Sequence, residues 1–385
     1  MEAIKKHWPV ILLIALALIT RLAFLWYPAQ VVFDEVYFGS FVNSYFTHHP
    51  YFDIHPPLGK LMIFGFLKLF GASANFDYSK IGSALPAGGA FMLRFLPAIF
   101  GAMLVILIYF FIRKIGLSKK AAFLGAALVL LDNAILTQSK FTLLDVFLIF
   151  FGFLSLYLLL WFHERRHFWL LGLAILSATF SASIKWTGLA FMAVIVFFLL
   201  NDLIKRPAIK KAMAYLALLA IIPPIVYGLI FAAHFSLLNE CPSGFVPLAQ
   251  KIIQTNYDMY HADATLTATH PYSSKWYQWP FMHRPIWYWT QSQGSATANI
   301  WFIGNPIIWF SVLFSVIFSL AILFSRQLRN KLPSFFPWLL FGFFASFLPL
   351  ALVSRVLFLY HYLPALVFGI IIIAVLYDTF LRGPS

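Results

Sequence analysis

The stretch Phe33-Asp34-Glu35-Val36-Tyr37-Phe38-Gly39 places two adjacent carboxylates just after an apolar run. A carboxylate within hydrogen-bond reach of a weakly nucleophilic hydroxyl can take its proton in the transition state. The same pair would also suit a solvated helix start, where acids favour the helix dipole. A second polar stretch follows, Tyr51-Phe52-Asp53-Ile54-His55-Pro56-Pro57-Leu58-Gly59-Lys60. Asp53, His55 and Lys60 can order a rigid proline turn. With His48 and His49 nearby, these residue types also admit a metal. No two histidines have the helical spacing of a zinc protease motif. We therefore expect no metal ligands and no cofactor, although the motifs do not exclude a divalent ion.

Further charges stand out because of where they fall. Arg94 begins an apolar run. Lys185 separates two runs, in Ser183-Ile-Lys185-Trp-Thr-Gly188. Arg355 begins the last run, and Asp132 and Asp145 flank the connection between two others. Charges inside or at the edge of an apolar bundle are costly, so each is a functional candidate by default. The bland alternatives are snorkelling and structural ion pairs. A group of cations at headgroup level facing a carboxylate is what a lipid-phosphate donor needs. Arg and Lys would hold the phosphate and stabilise it as a leaving group.

The elements that position these residues follow from composition. The 385-residue chain is 62% hydrophobic and 10% charged, against roughly 25% charged in soluble domains. That leaves too little polar surface for a water-facing globule. A spanning helix needs about 20 apolar residues. On that measure about ten candidates occur, near 9–27, 91–112, 121–137, 142–161, 168–183, 187–201, 212–233, 300–325, 335–353 and 356–380. The expected class is therefore an all-α polytopic membrane protein. The runs lack the alternation of a barrel. The first run has no cleavage site after it and is read as a retained span. The single cysteine, Cys241, excludes an intrachain disulfide.

Basic residues then orient the bundle. With the N-terminus inside, the inner loops receive Lys5 and Lys6, Arg113 to Lys120, Arg165 and Arg166, Lys205 to Lys211, and Arg326 to Lys331. The net charge of +14 is thus largely a topology signal and not a nucleic-acid footprint. Two long segments fall outside, 28–90 and 234–299. In the first, Pro57 to Phe70 is too short to span, so an interfacial helix is expected, begun by Pro56-Pro57 and stopped by Gly71. The second is crowded with Trp, Tyr, His and Pro, which favour the membrane boundary. Asp34, Arg94, Lys185 and Arg355 all fall on the outer side.

At these residues the chain resembles the protein O-mannosyltransferase family of GT-C glycosyltransferases. The likeness covers nearly the whole chain and is carried by Asp34-Glu35, His55-Pro-Pro-Leu-Gly-Lys60, Arg94-Phe-Leu-Pro, Leu131-Asp132-Asn, Leu144-Asp145 and Ser183 to Gly188. His270-Pro-Tyr-Ser-Ser-Lys-Trp-Tyr-Gln-Trp279-Pro, Arg284-Pro-Ile-Trp-Tyr, Gly304-Asn-Pro and Arg355-Val-Leu-Phe-Leu-Tyr-His361-Tyr362-Leu-Pro complete it. The large repeat domain of the eukaryotic members is absent from the second loop, which suggests the prokaryotic branch. The chain stops just after its last span, where the family can carry another helix.

The resemblance implies a single GT-C bundle, 1–385, with short interfacial helices in the two outer loops. It implies inverting transfer of mannose from a polyprenyl (dolichyl-type) phosphate to Ser or Thr hydroxyls of exported proteins, at the plasma membrane. Asp34 would be the catalytic base, with Glu35 ordering the loop or the acceptor. Arg94, Lys185 and Arg355 would hold the donor phosphate, with His361 and Tyr362 beside them. Asp53, His55, Lys60, Asp132, Asp145, His270, Trp279 and Arg284 would contact acceptor or sugar, or order the loops. The expected partners are the lipid donor, a Ser/Thr protein and membrane lipid, without nucleic acid. Two other readings compete. A GT-C enzyme of this kind can act on a lipid or glycan acceptor. A transporter needs charges along a path and repeated halves, but here the charges gather on one face.

Overall fold

The computed structural model describes the backbone of residues 2–381 and the side chains of residues 8–381. The side chains of Lys5 and Lys6, expected at the inner face, lie outside that description. In chain order the helices are α1 (Glu2–Leu22), α2 (Glu35–Thr47), α3 (Leu58–Leu69), α4 (Ala87–Lys114) and α5 (Lys119–Leu131). There follow α6 (Asn133–Lys140), α7 (Asp145–Arg165), α8 (Phe168–Ala182), α9 (Leu189–Lys205), α10 (Ile209–Leu237) and α11 (Phe245–Thr265). Last come α12 (Pro306–Leu323), α13 (Arg326–Arg329), α14 (Phe336–Phe347) and α15 (Leu363–Leu376).

Each of the ten apolar runs carries an apolar helix. Among the described residues, six helical stretches are long and apolar enough to cross a membrane. α5 and α6 make a seventh if they cross as one span bent by 60°. The stretches Trp8–Leu22, Phe168–Ala182 and Phe336–Leu352 are shorter. The bend has a local cause. Asp132 ends α5 in an extended conformation and caps α6, accepting from Ile135 N at 3.0 Å. Caps of this kind satisfy N–H groups that the helix itself cannot.

α15 is buried along most of its length and forms the centre of the bundle. α10 shows the opposite pattern, with Met213, Leu216, Ile221, Ile225 and Leu229 all exposed. An apolar face of that length has no place in water. Between α1 and α4 lies the first outer segment. There α3 starts after Pro57 and ends before Gly71, whose φ of 64° is a glycine conformation, as the sequence suggests. Gly39 has a different cause. A Cβ there would lie 2.2 Å from the Tyr78 ring, so the glycine lets that ring seal α2.

The second outer segment departs from expectation. It contains the 21-residue helix α11 and not only short helices. It also contains an antiparallel hairpin, β1 (Ile286–Gln293) and β2 (Ala296–Phe302), turning at Gly294. Strand β2 occupies the beginning of the run read as a span from 300. The spanning helix α12 starts only at Pro306, because Asn305 caps it through Ile307 N at 3.1 Å.

Candidate active site

The hairpin positions Asp34. The residue before it, Phe33, is left-handed with φ 47°, which is uncommon for a bulky side chain and needs outside support. Tyr288 of β1 supplies it. The two rings stack with centroids 4.0 Å apart, and Phe33 N donates to Tyr288 O at 3.1 Å. Trp289 Nε1 donates to Gln30 Oε1 at 2.7 Å. The second outer segment thus clamps the first beside the acidic pair.

The two carboxylates have different surroundings. Glu35 is buried and accepts from Val32 N at 2.9 Å, Thr142 N at 2.9 Å, Thr142 Oγ1 at 3.0 Å, Arg94 Nε at 2.8 Å and Arg94 Nη2 at 2.7 Å. Asp34 starts α2 without capping it and is half-buried. Among the described residues nothing donates to its carboxylate. Burial pushes that carboxyl up to about 7, Asp145 and Asp53 add to the rise, and Lys185 opposes it. A carboxylate with free lone pairs and such a value is poised to take a proton near neutral pH.

One cation, Lys185, acts directly on it. Lys185 Nζ lies 2.9 Å from both oxygens of Asp145, and 5.1 Å from the centre of the Tyr360 ring. Asp145 Oδ2 also accepts from Gln138 Nε2 at 3.1 Å. His55 is half-buried and held well below its ordinary value by burial, then by Lys185, Lys60 and Arg355, so it stays neutral. Lys60 is buried against Asp53 as an ion pair, donates to His55 O at 2.9 Å, and lies over the rings of Phe41 and Tyr51. Asp53 Oδ1 accepts from His55 N at 3.2 Å. Asp53, His55 and Lys60 therefore form one turn that leads into α3.

A cavity of about 350–660 Å³ scale is ordinary for a ligand site. One of 660 Å³ opens between the second outer segment and residues 350–357, with Lys275, His283, Arg284 and Arg355 in its lining. Arg355 is ion-paired with Asp263 and donates from Nη1 to Val356 O at 3.1 Å. Behind it, buried Trp279 lies face to face with His361, centroids 5.9 Å apart, and donates from Nε1 to Ser274 Oγ at 3.1 Å. His361 Nδ1 sits 2.9 Å from Phe358 O. His270 packs edge-on against Phe358 and accepts from Tyr272 N at 3.2 Å. Lys185 and Arg355 both act on His55, so a carboxylate without donors and two cations belong to one cluster, as a transfer from a phosphate ester needs.

The sequence and the fold both match known proteins. The family model "Dolichyl-phosphate-mannose-protein mannosyltransferase" matches residues 11–239, and that for the "C-terminal four TMM region of protein-O-mannosyltransferase" matches residues 248–384. The chain belongs to the protein O-mannosyltransferase family. Within it, the chain is similar to "Protein O-mannosyltransferase 1" of Drosophila pseudoobscura pseudoobscura, 34% identical over 59% of this chain and 27% of that protein. It is also similar to "Dolichyl-phosphate-mannose--protein mannosyltransferase 1" of Saccharomyces cerevisiae, 32% identical over 66% of this chain and 34% of that one. The match thus spans about a third or less of these relatives' length. The solved S. cerevisiae protein O-mannosyltransferase Pmt1-Pmt2 complex, bound to the sugar donor, superimposes with a TM-score of 0.87. It has 20% identity and covers 97% of this chain and 85% of that one, which shows the GT-C fold. This mannosyltransferase-family chain is a multi-pass membrane protein.

Three of the expected site residues, Arg94, Glu35 and Tyr362, have their side chains engaged within the protein or packed in its core. Arg94 makes its hydrogen bonds within the protein. It is fully buried, and Nη1 donates to Leu25 O and Pro28 O while Nη2 donates to Gln30 O. With its two bonds to Glu35, all five of its N–H groups are engaged. Glu35 has its carboxylate engaged by five donors, which fix the loop around it. Tyr362 is fully buried among Trp309, Phe343 and Phe347 and belongs to the core. Asp132 bridges two elements. Its Oδ2 accepts from Trp309 Nε1 at 2.8 Å and Asn305 N at 3.2 Å, tying the α5–α6 bend to α12. Gly304 serves the same joint, since a Cβ there would lie 2.0 Å from Trp309 Nε1.

Two tyrosines beside Asp34 escaped the sequence reading. Tyr288 is fully buried with an unpartnered hydroxyl among the described residues. Burial first, and then the charge of Asp34, hold it well above its ordinary value. Tyr360 packs edge-on to Phe33 and lies over Lys185. Both sit in stretches rich in aromatics, where the sequence signal is that of a membrane boundary. The available hint of a strand was the run of aromatic and β-branched residues from Ile286 to Thr290, bounded by Pro285 and Gly294.

Proposed function

We propose that this protein is an inverting glycosyltransferase that moves mannose from a polyprenyl phosphate onto Ser or Thr hydroxyls of exported proteins. Asp34 is the general base in this reading. The observation that carries it is the carboxylate of Asp34, free of donors among the described residues and raised by burial, with Lys185 close enough to oppose that rise. The acceptor oxygen attacks C1 of the sugar, and its proton passes to Asp34. The bond from C1 to the phosphate oxygen breaks on the opposite face, so a β-linked donor gives an α-linked product. Lys185 and Arg355 balance the charge on the departing lipid phosphate. Glu35 and Arg94 hold the loop that presents Asp34.

We place the N-terminus in the cytoplasm and the Asp34 cluster on the extracytoplasmic side of the plasma membrane. Support comes from the helices themselves. α4, α7 and α9 carry Arg94, Asp145 and the neighbour of Lys185 at one end, and Lys114, Arg165 and Lys205 at the other. Basic ends mark the cytoplasmic side.

The deciding experiment is transfer in vitro from polyprenyl-phosphate-mannose to a panel of peptide and lipid acceptors. Mannosylated Ser or Thr in a peptide is the expected product. Labelling of a lipid acceptor alone would replace the protein-acceptor reading. The pH profile tests the base independently. A carboxyl raised to about 7 is protonated and inactive below that value, so kcat/KM rises with pH through a midpoint near 7. Asp145→Asn removes a negative charge while Lys185 keeps its positive one, so the midpoint moves to lower pH. A profile flat across neutral pH would rule out this base. Arg355→Met is expected to raise the donor KM by about tenfold or more, the worth of one charged hydrogen bond. An unchanged donor KM would remove Arg355 from the phosphate site.

A further inference from the structure

The far ends of the catalytic helices build a second hollow, and we propose that it binds the phosphate of an anionic membrane phospholipid. Arg94 and Lys114 are the two ends of one stretch of α4, and Asp145 and Arg165 those of α7. At 1.5 Å per residue each stretch covers about 30 Å, the depth of a bilayer core. The second hollow therefore shares helices with the Asp34 cluster but no residues.

Its volume is 350 Å³, and it lies between the ends of α4, α7 and α9 and the start of α14. Four cations line it, Lys114, Arg166, Lys205 and Arg206, against two carboxylates, Glu164 and Asp202. Asp202 is buried and already saturated. It accepts from Arg166 Nη1 at 2.8 Å and Tyr215 OH at 2.8 Å, and Lys211 Nζ lies 3.0 Å away. Glu164 is paired with Lys114 on the rim. Lys205 and Arg206 are exposed and, among the described residues, have no carboxylate partner. The hollow is left with an excess of positive charge that a phosphate ester would neutralise.

The remaining wall is aromatic. Phe335 and Trp338 stack with planes 7° apart, and Trp338 packs on Phe198 with centroids 4.5 Å apart. A soluble phosphate gains nothing from such a wall, whereas a glycerol backbone and its first methylenes do. Snorkelling alone accounts for basic residues at helix ends, but it spreads them into water. It does not gather them around a concave site with an aromatic side. Basic pockets between spanning helices are the usual form of an anionic-headgroup site.

The test uses the full chain, purified in a neutral detergent, and native mass spectrometry of bound lipid. Phosphatidylglycerol should be retained well above phosphatidylcholine. The double variant Lys205→Ala/Arg206→Ala should lose about 30-fold in phosphatidylglycerol affinity, the worth of two basic residues near a membrane surface. Its thermal midpoint without lipid and its sugar transfer should match the wild type, so failure of this site and failure of the transferase reading are separable. Equal retention of phosphatidylglycerol by variant and wild type would overturn the proposal. So would equal retention of the two lipids by the wild type. Glycerol 3-phosphate and inorganic phosphate, added at millimolar levels, should not displace the lipid. Displacement by either would show a site for free phosphate and overturn the lipid assignment.

Discussion

Asp34→Asn leaves a folded protein whose sugar transfer falls by about 100- to 10,000-fold, the contribution of a positioned general base. The replacement is nearly isosteric and removes only the ability to hold the transferred proton. Among the described residues nothing donates to the Asp34 carboxylate, so no hydrogen bond is lost and the thermal midpoint should hold or rise. Neighbouring Glu35 cannot substitute, because five donors engage it. Turnover by Asp34→Asn with a polyprenyl-phosphate-mannose donor and peptide, compared at saturating donor, is the measurement. Turnover at the wild-type level would place the base elsewhere in the cluster.

Arg94→Met is expected to lower stability by about 3–5 kcal/mol, the usual cost of removing one partner from a buried ion pair. The loss is large because Arg94 does several jobs. It neutralises Glu35, and it also satisfies the carbonyls of Leu25, Pro28 and Gln30. These lie on the chain that leads from α1 into the Asp34 loop. Arg94→Lys keeps the charge without the planar fork, so an intermediate loss should follow. Thermal unfolding in detergent reads both. Any surviving transfer should show an unchanged donor KM. The reverse pattern, a normal midpoint with a raised donor KM, would return Arg94 to the phosphate site.

These two variants invert what residue type alone implies. Asp34 and Glu35 are adjacent acids, and only the family resemblance, not residue type, separates base from scaffold. Arg94, Lys185 and Arg355 are three basic residues on one face, and in sequence all suit a phosphate. The difference arises from partners far along the chain. Glu35 meets Arg94 across 59 positions and Thr142 across 107. Lys185 meets Asp145 across 40. The charge of a residue is local, but which counter-charge it meets depends on how the helices pack.

The membrane class was legible because the shortage of charge leaves no soluble alternative. The apolar runs were legible because span length is a local property. The α3 boundaries were legible because Pro57 and Gly71 act on their own backbone. The hairpin was not, since its tryptophans and tyrosines read as a membrane boundary. Asp34 itself was visible from its acidic motif. That it stands open while Glu35 is locked away was decided only by the fold, in which β1 clamps Phe33 and Arg94 claims Glu35.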